Sequence, residues 1–239
     1  MQVKWMRLYN NKCEVVLDQL ISDGVTVDAV IMDPPYKLDT HGGGNRKQWK
    51  NIHNNFISDL SAGFDYESIF AKLLRICPTN NILTFCSNKQ LSKIMTFFEN
   101  KDLSTTCLAW WKENYCPFGN GKHLSDVEFI VFVRGKGAHW NNDLPAKLKS
   151  KVIRAPWRIS KKVHPTQKSV EVMEHLVKLH TLPGDTVLDP YMGSGSTGIA
   201  CQNLGRKFIG IELDEHYYNI GVQRMKENKE RLDMLNTSC

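Results

Sequence analysis

The sequence has no uninterrupted apolar run long enough to cross a membrane, no CxxC pair among its seven cysteines, no internal repeat and no low-complexity tract. Each absence excludes a class. No spanning helix is expected, and the opening residues MQVKWMRLYNNK lack the apolar core of a secretory signal, so a cytoplasmic protein with no membrane partner is expected. The odd set of cysteines, scattered through apolar segments, reads as reduced, mostly buried thiols and not as a disulfide framework or zinc site. His175, His180 and His216 read as core or helix-surface residues, and no metal site is expected. Solenoids and propellers drop out with the missing repeats. What is present is 239 residues with 41% apolar, 10% aromatic and 23% charged, a balance that predicts one large folded domain. Lys and Arg exceed Asp and Glu by 31 to 25, which favours a polyanionic partner.

Strand and helix signals alternate along the chain. Short β-branched apolar runs predict strands over 25–32, 81–86, 105–111, 127–133, 186–188 and 207–211, with the 105–111 and 127–133 runs joined as an antiparallel pair. Helical spacing predicts helices over 89–100, 168–180 and 196–203, and a last one from 214. Trp5, Trp110 and Trp111 read as packing residues. Two stretches resist this pattern. Residues 37–55 are polar and glycine-rich, with Arg46 and Lys47, and predict a mobile loop. Residues 144–170 hold Lys147, Lys149, Lys151, Arg154, Arg158, Lys161, Lys162 and Lys168 and no acid, with Trp157 inside and Trp140 just before. A solvated surface normally mixes signs, so this stretch reads as tracking phosphates, with a short DNA-contacting segment over 139–163.

Gly193-Ser194-Gly195-Ser196-Thr197-Gly198 fits G-x-G-x-x-G between a strand and a helix, and Glu212 ends the next strand, where an acid binds ribose hydroxyls. This predicts a nucleoside ligand. Asp189, just before the turn, would oppose a pyrophosphate but welcome an ammonium group, so S-adenosylmethionine fits better than NAD. The nucleotide unit comes late in the chain, with one strand and one helix after it. A doubly wound sheet completed from the N-terminal half is then a circular permutation, its ligand at the carboxyl ends of the strands.

The 25–32 strand delivers Asp33-Pro34-Pro35-Tyr36 to that edge. Prolines fix the backbone and cannot donate, leaving the carbonyls beside them to accept. A carboxylate and a carbonyl together can take both hydrogens of an exocyclic amine and aim its lone pair, while Tyr36 stacks on the ring; such a base must be flipped out of a duplex.

Together these segments resemble the amino-group DNA methyltransferases, in the permuted arrangement that sets Asp-Pro-Pro-Tyr ahead of the glycine motif. The resemblance is carried by Asp33 to Tyr36, His164-Pro165-Thr166-Gln167-Lys168, the run from Leu188 through Asp189, Tyr191, Gly193, Gly195 and Ser196 to Thr197, and Phe208-Ile209-Gly210-Ile211-Glu212; Trp111-Lys112 and Glu128-Phe129-Ile130 are lesser landmarks. It implies an α/β, Rossmann-like, mostly parallel sheet with an antiparallel strand. It implies catalysis by Asp33, Pro34, Pro35 and Tyr36. S-adenosylmethionine would be held by Asp189, Tyr191, Gly193, Gly195, Ser196, Thr197 and Glu212, with Thr166 and Lys168 as the remaining wall. DNA would be contacted through Arg46, Lys47, Lys151, Arg154, Arg158, Lys161 and Lys162. Aspartate ahead of Pro-Pro-Tyr leans toward adenine over cytosine. Two departures stand out: Asn11-Lys12-Cys13 where relatives often carry Gly-Asp-Cys, and Ser169 where a proline is common. A homodimer and a restriction endonuclease in the same system are the further partners considered. The competing readings are a cytosine-amino methyltransferase, an RNA or protein methyltransferase, an NAD-dependent oxidoreductase and a non-catalytic DNA-binding module.

Overall fold

The computed structural model describes residues 2–3, 5–35, 65–115, 123–157 and 167–237. They build one nine-stranded sheet from β1 (Gln2–Val3), β2 (Met6–Asn10), β3 (Ala29–Met32), β4 (Ile82–Cys86), β5 (Ser104–Lys112), β6 (Val127–Arg134), β7 (Val152–Ala155), β8 (Thr186–Asp189) and β9 (Lys207–Glu212), in the order β1-β2-β9-β8-β3-β4-β6-β5-β7. The helices are α1 (Cys13–Ser22), α2 (Tyr66–Ile76), α3 (Asn88–Glu99), α4 (Val170–His180), α5 (Ser196–Asn203) and α6 (Glu215–Thr237).

Alternation along the strands sends side chains to two cores. Ile31, Leu83 and Phe85 pack with Val172 and Leu176 of α4, Ala200 of α5 and Met225 of α6. Val30, Met32 and Ile82 pack on the other face with Leu17 of α1, Phe70 and Leu73 of α2, and Phe98 of α3. Helices on both faces of a largely parallel sheet make the doubly wound α/β architecture that the alternation predicts.

Strand direction, more than strand order, decides which residues meet. The ladders run parallel from β2 through β9, β8 and β3 to β4, β6 is antiparallel to both β4 and β5, and β7 runs parallel to β5. The carboxyl ends of β3, β8, β9 and β5 therefore share one edge with the start of β6. Chain direction also reverses between β3, which leads outward to β4, and β8, which leads the other way to β9. The ends of these adjacent strands, registered Val30 to Leu188, flank the crevice where sheets of this kind bind ligands.

Five elements, β1, β2, α1, α2 and β7, go beyond the sequence expectation. The strand expected over 25–32 is confined to Ala29–Met32, because the N–H groups of Val25 and Val27 donate to the helix-end carbonyls of Leu20 and Ile76 instead of to a neighbouring strand. Part of the acid-free stretch also belongs to the scaffold. In β7, Ile153 and Ala155 are buried and Arg154 is exposed, while Trp140 and Trp157 lie half-buried against the core.

The glycine turn works by close packing beneath it. Gly195 caps α5 at φ 79°, a left-handed conformation that favours glycine. A Cβ at Gly198 would stand 2.3 Å from Met225 Sδ and 2.9 Å from the Phe208 ring, so α5 approaches β9 and α6 closely only because this side chain is missing. Gly198→Ala is expected to cost about 1–3 kcal/mol through overpacking, read as a thermal midpoint lowered by several degrees. An unchanged midpoint would contradict the packing account.

Candidate active site

Three carboxylates reach the shared edge from adjacent strands: Asp33 after β3, Asp189 at the end of β8 and Glu212 at the end of β9. Asp189 is buried, with Oδ1 accepting from the Tyr191 N–H at 3.0 Å and Oδ2 from the Thr197 hydroxyl at 2.6 Å. Burial pushes its carboxyl up to about 7; the two hydrogen bonds work against the rise, while Asp33 and Glu212 add to it. Glu212 accepts from the backbone N–H groups of Gly193 and Asp214, each at 2.9 Å, and burial likewise holds it above the ordinary range. Its carboxylate thus ties the glycine turn to the end of β9.

On the far side, the Cys13 thiol donates to the Tyr191 hydroxyl at 3.1 Å, joining the start of α1 to the same turn. Burial pushes that thiol up to about 12, so it acts as a neutral packing group. Lys12, at the start of α1, is exposed beside it. Ser196 donates from its hydroxyl to the Lys168 carbonyl at 2.9 Å, tying the segment before α4 to the turn.

This donor set discriminates between ligands. Asp189 and Glu212, both pushed up by burial and by acidic neighbours, make a site that repels a pyrophosphate and is relieved by positive charge. S-adenosylmethionine brings an ammonium, a sulfonium and ribose hydroxyls and no phosphate, which fits the residues present.

The Lys168 side chain pairs with two carboxylates at this edge. Its ammonium lies 2.5 Å from Asp33 Oδ2 and 3.1 Å from Glu128 Oε2, above the Phe85 ring. Glu128 in turn meets Lys112 through Oε1 at 2.9 Å. Lys112 lies near the rings of Trp110 and Trp157 and donates to the Ser125 carbonyl at 3.2 Å. Glu128 reaches this edge because β6 runs against its neighbours, so its first residues meet the last residues of β5. In the sequence, Glu128 and Lys112 stand out only as landmarks.

Of the remaining predicted residues, Tyr36, Arg46, Lys47, Arg158, Lys161, Lys162 and Thr166 lie outside the described residues, as does the 37–55 loop. Pro34 is buried behind Asp33, and Pro35 is half-buried. Lys151 and Arg154 are exposed at the β7 edge, with the Arg154 guanidinium 4.7 Å from the centre of the Trp111 ring. Trp110 is fully buried, as expected of a packing residue. His180 is a core histidine between Phe132 and Trp140, pushed down to about 3 by burial first and by nearby His175, His139 and Arg134.

Comparison with known proteins agrees with this chemistry. The chain is 27% identical over 226 residues to the type II methyltransferase M2.DpnII of Streptococcus pneumoniae, covering 86% of this chain and 84% of that one. It is 25% identical over 238 residues to the type II methyltransferase M.HinfI of Haemophilus influenzae, covering 85% and 64%. Its fold matches the crystal structure of the M1.HpyAVI complex with S-adenosylmethionine at a TM-score of 0.70 and 28% identity, over 92% of this chain and 99% of that one. The cytosine-N(4)-specific PvuII DNA methyltransferase shares the fold at a TM-score of 0.67 and 13% identity. No described helix is long and apolar enough to cross a membrane. The model of the DNA methylase family matches residues 27–223, which hold Asp33, Glu128, Lys168, Asp189 and Glu212 together, and the chain belongs to that family, with S-adenosylmethionine as its methyl donor.

Proposed function

We propose that the protein moves a methyl group to the exocyclic amine of an adenine flipped out of DNA, and that Asp33 and Pro34 are the groups that orient this amine. One observation carries the reading: Asp33 and Asp189 follow adjacent parallel strands at the point where the sheet changes direction, so a base held at one faces a cofactor held at the other. When bound, S-adenosylmethionine supplies a methyl already activated by its sulfonium. The protein's task is alignment, which can contribute about 7–11 kcal/mol. Asp33 and the Pro34 carbonyl accept the two amine hydrogens and turn the nitrogen lone pair toward the methyl. As the nitrogen gains positive charge, the same two acceptors stabilise it. Tyr36 stacks on the flipped ring. Asp189, Tyr191, Gly193, Gly195, Ser196, Thr197, Glu212 and Thr166 hold the donor. Aspartate ahead of Pro-Pro-Tyr supports adenine. Expression in a host without DNA methylation, followed by nucleoside digestion of its DNA, tests the choice of base: N(6)-methyladenine is expected, and N(4)-methylcytosine would overturn it.

The chain is a single catalytic domain in permuted motif order, and it works in the cytoplasm. DNA lies across the basic segment over 139–163 and the 37–55 loop. Arg154 supports this reading, since it is exposed on the outer strand of the sheet with its guanidinium beside the Trp111 ring, and Lys151 is exposed just before the same strand. Replacing Lys151, Arg154, Arg158, Lys161 and Lys162 with alanine is expected to weaken DNA binding and flatten its salt dependence by about 0.9 in logarithmic slope for each phosphate no longer neutralised. An unchanged slope would return the segment to a solvated surface. The segment is short for reading a sequence alone, which supports pairing with a second copy of the chain, and the type II relatives support a partner endonuclease.

A further inference from the structure

The chain of alternating charges that ends on Asp33 is longer than anchoring a cofactor requires. It runs Lys112, Glu128, Lys168, Asp33, with ion-pair distances of 2.9, 3.1 and 2.5 Å, and draws on β5, β6, the segment before α4 and the end of β3. Lys112 and Lys168 are each 7% exposed, a burial that lysines rarely reach unless paired. Replacing a buried ionic network by apolar side chains of similar volume is often neutral or stabilising, so the network is a weak source of stability. It does fix a geometry.

We infer that Glu128 and Lys112 are positioning residues for methyl transfer: with Lys168 they form a relay that sets the plane and direction of the Asp33 carboxylate. This rests on the reading of Asp33 as the residue that orients the amine. Lys168 meets the carboxylate of Asp33 through Oδ2. Lys168 itself sits between two anions and over the Phe85 ring, so Glu128 determines where the ammonium stands between Asp33 and the interior of the sheet. Lys112, held at the Ser125 carbonyl and flanked by Trp110 and Trp157, fixes Glu128 in turn. The charges support the same order of roles. Burial acts to lower Lys168, yet Asp33 and Glu128 together raise it above the ordinary lysine range. Burial acts to raise Glu128, and Lys168 and Lys112 more than reverse it.

Removing the Glu128 charge takes one of the two anions from Lys168, whose ammonium then becomes easier to deprotonate. Asp33 from the end of β3 and Glu128 from β6 both act to keep it charged. The variant should therefore gain an alkaline limb in its rate profile at lower pH than the wild-type enzyme.

The test compares Glu128→Gln, Lys112→Met, Lys112→Arg and Asp33→Ala in the full chain, using labelled S-adenosylmethionine and unmethylated genomic DNA from a methylation-free host. Glu128→Gln is expected to lower the single-turnover rate about tenfold or more, to leave S-adenosylmethionine binding nearly unchanged and to move the alkaline limb toward neutral pH. Lys112→Met is expected to show a smaller loss of the same kind, most of it recovered in Lys112→Arg. If Glu128→Gln does not fold, Lys112→Met decides on the same readouts. Variants that lose thermal stability while keeping the wild-type rate and pH profile would overturn the relay. An inactive Asp33→Ala beside a fully active Glu128→Gln sinks the relay alone, whereas a fully active Asp33→Ala sinks the reading beneath it.

Discussion

Asp33→Ala is expected to reduce methyl transfer below about one-thousandth of the wild-type rate while leaving S-adenosylmethionine binding nearly intact. Two losses combine in this figure. The amine no longer has the acceptor that turns its lone pair, which removes preorganised stabilisation present only as charge develops on the nitrogen. Lys168 also loses the closer of its two anions and faces the incoming amine with a buried positive charge. Cofactor binding should survive, because Asp189, Glu212 and the glycine turn are held by hydrogen bonds among themselves and their neighbours that do not run through Asp33. Single-turnover rates beside equilibrium binding of S-adenosylmethionine check both halves. Wild-type turnover in the variant would remove Asp33 from the mechanism.

The second large effect is on pH. Asp189 has its carboxyl pushed up to about 7, first by burial, with Asp33 and Glu212 adding to it. A carboxyl raised in the folded state favours the protonated form, so its contribution to stability is fully present below the ordinary carboxylate range and is lost as pH rises through about 7. Binding of a ligand ammonium needs the anion and runs the opposite way, with affinity falling about tenfold per pH unit below that midpoint. The protein without cofactor should thus be most stable on the side of neutrality where it binds cofactor worst. Asp189→Asn is expected to abolish both trends and to cost most of the affinity. Asp33→Ala should lower the midpoint of the binding curve, since Asp33 contributes to raising Asp189. Binding and thermal unfolding measured between acid and alkaline pH check this; a flat wild-type binding curve would show that Asp189 does not meet the ammonium.

How much of the molecule is legible in its sequence depends on how local the causes are. The central strands are legible because buried β-branched runs such as Ile82–Cys86 end in turn residues, and the glycine turn is legible because a left-handed cap and close helix packing each require glycine. Helix α2 carries a readable signal beyond the elements expected: Asp65 accepts from the Ser68 N–H at its start, and Ile69, Phe70, Leu73 and Ile76 form one buried face. Helix α1 is harder to read, since the residue that precedes it, Lys12, supplies no side-chain cap. Strand β7 is four residues long and sits inside a basic stretch whose charge hides its buried Ile153 and Ala155. Asp33, Asp189 and Glu212 lie in motifs, but the pairing of Lys168 with Glu128 depends on the reversal of β6. Segment-by-segment periodicity does not contain that reversal.

The most direct measurement is transfer of labelled methyl from S-adenosylmethionine by the purified protein, offered unmethylated DNA, RNA and protein in parallel, with the labelled product digested and identified. Label recovered as N(6)-methyladenine in DNA is the expected result. Label confined to RNA or protein, or no transfer to DNA by a protein that binds S-adenosylmethionine, would contradict the account.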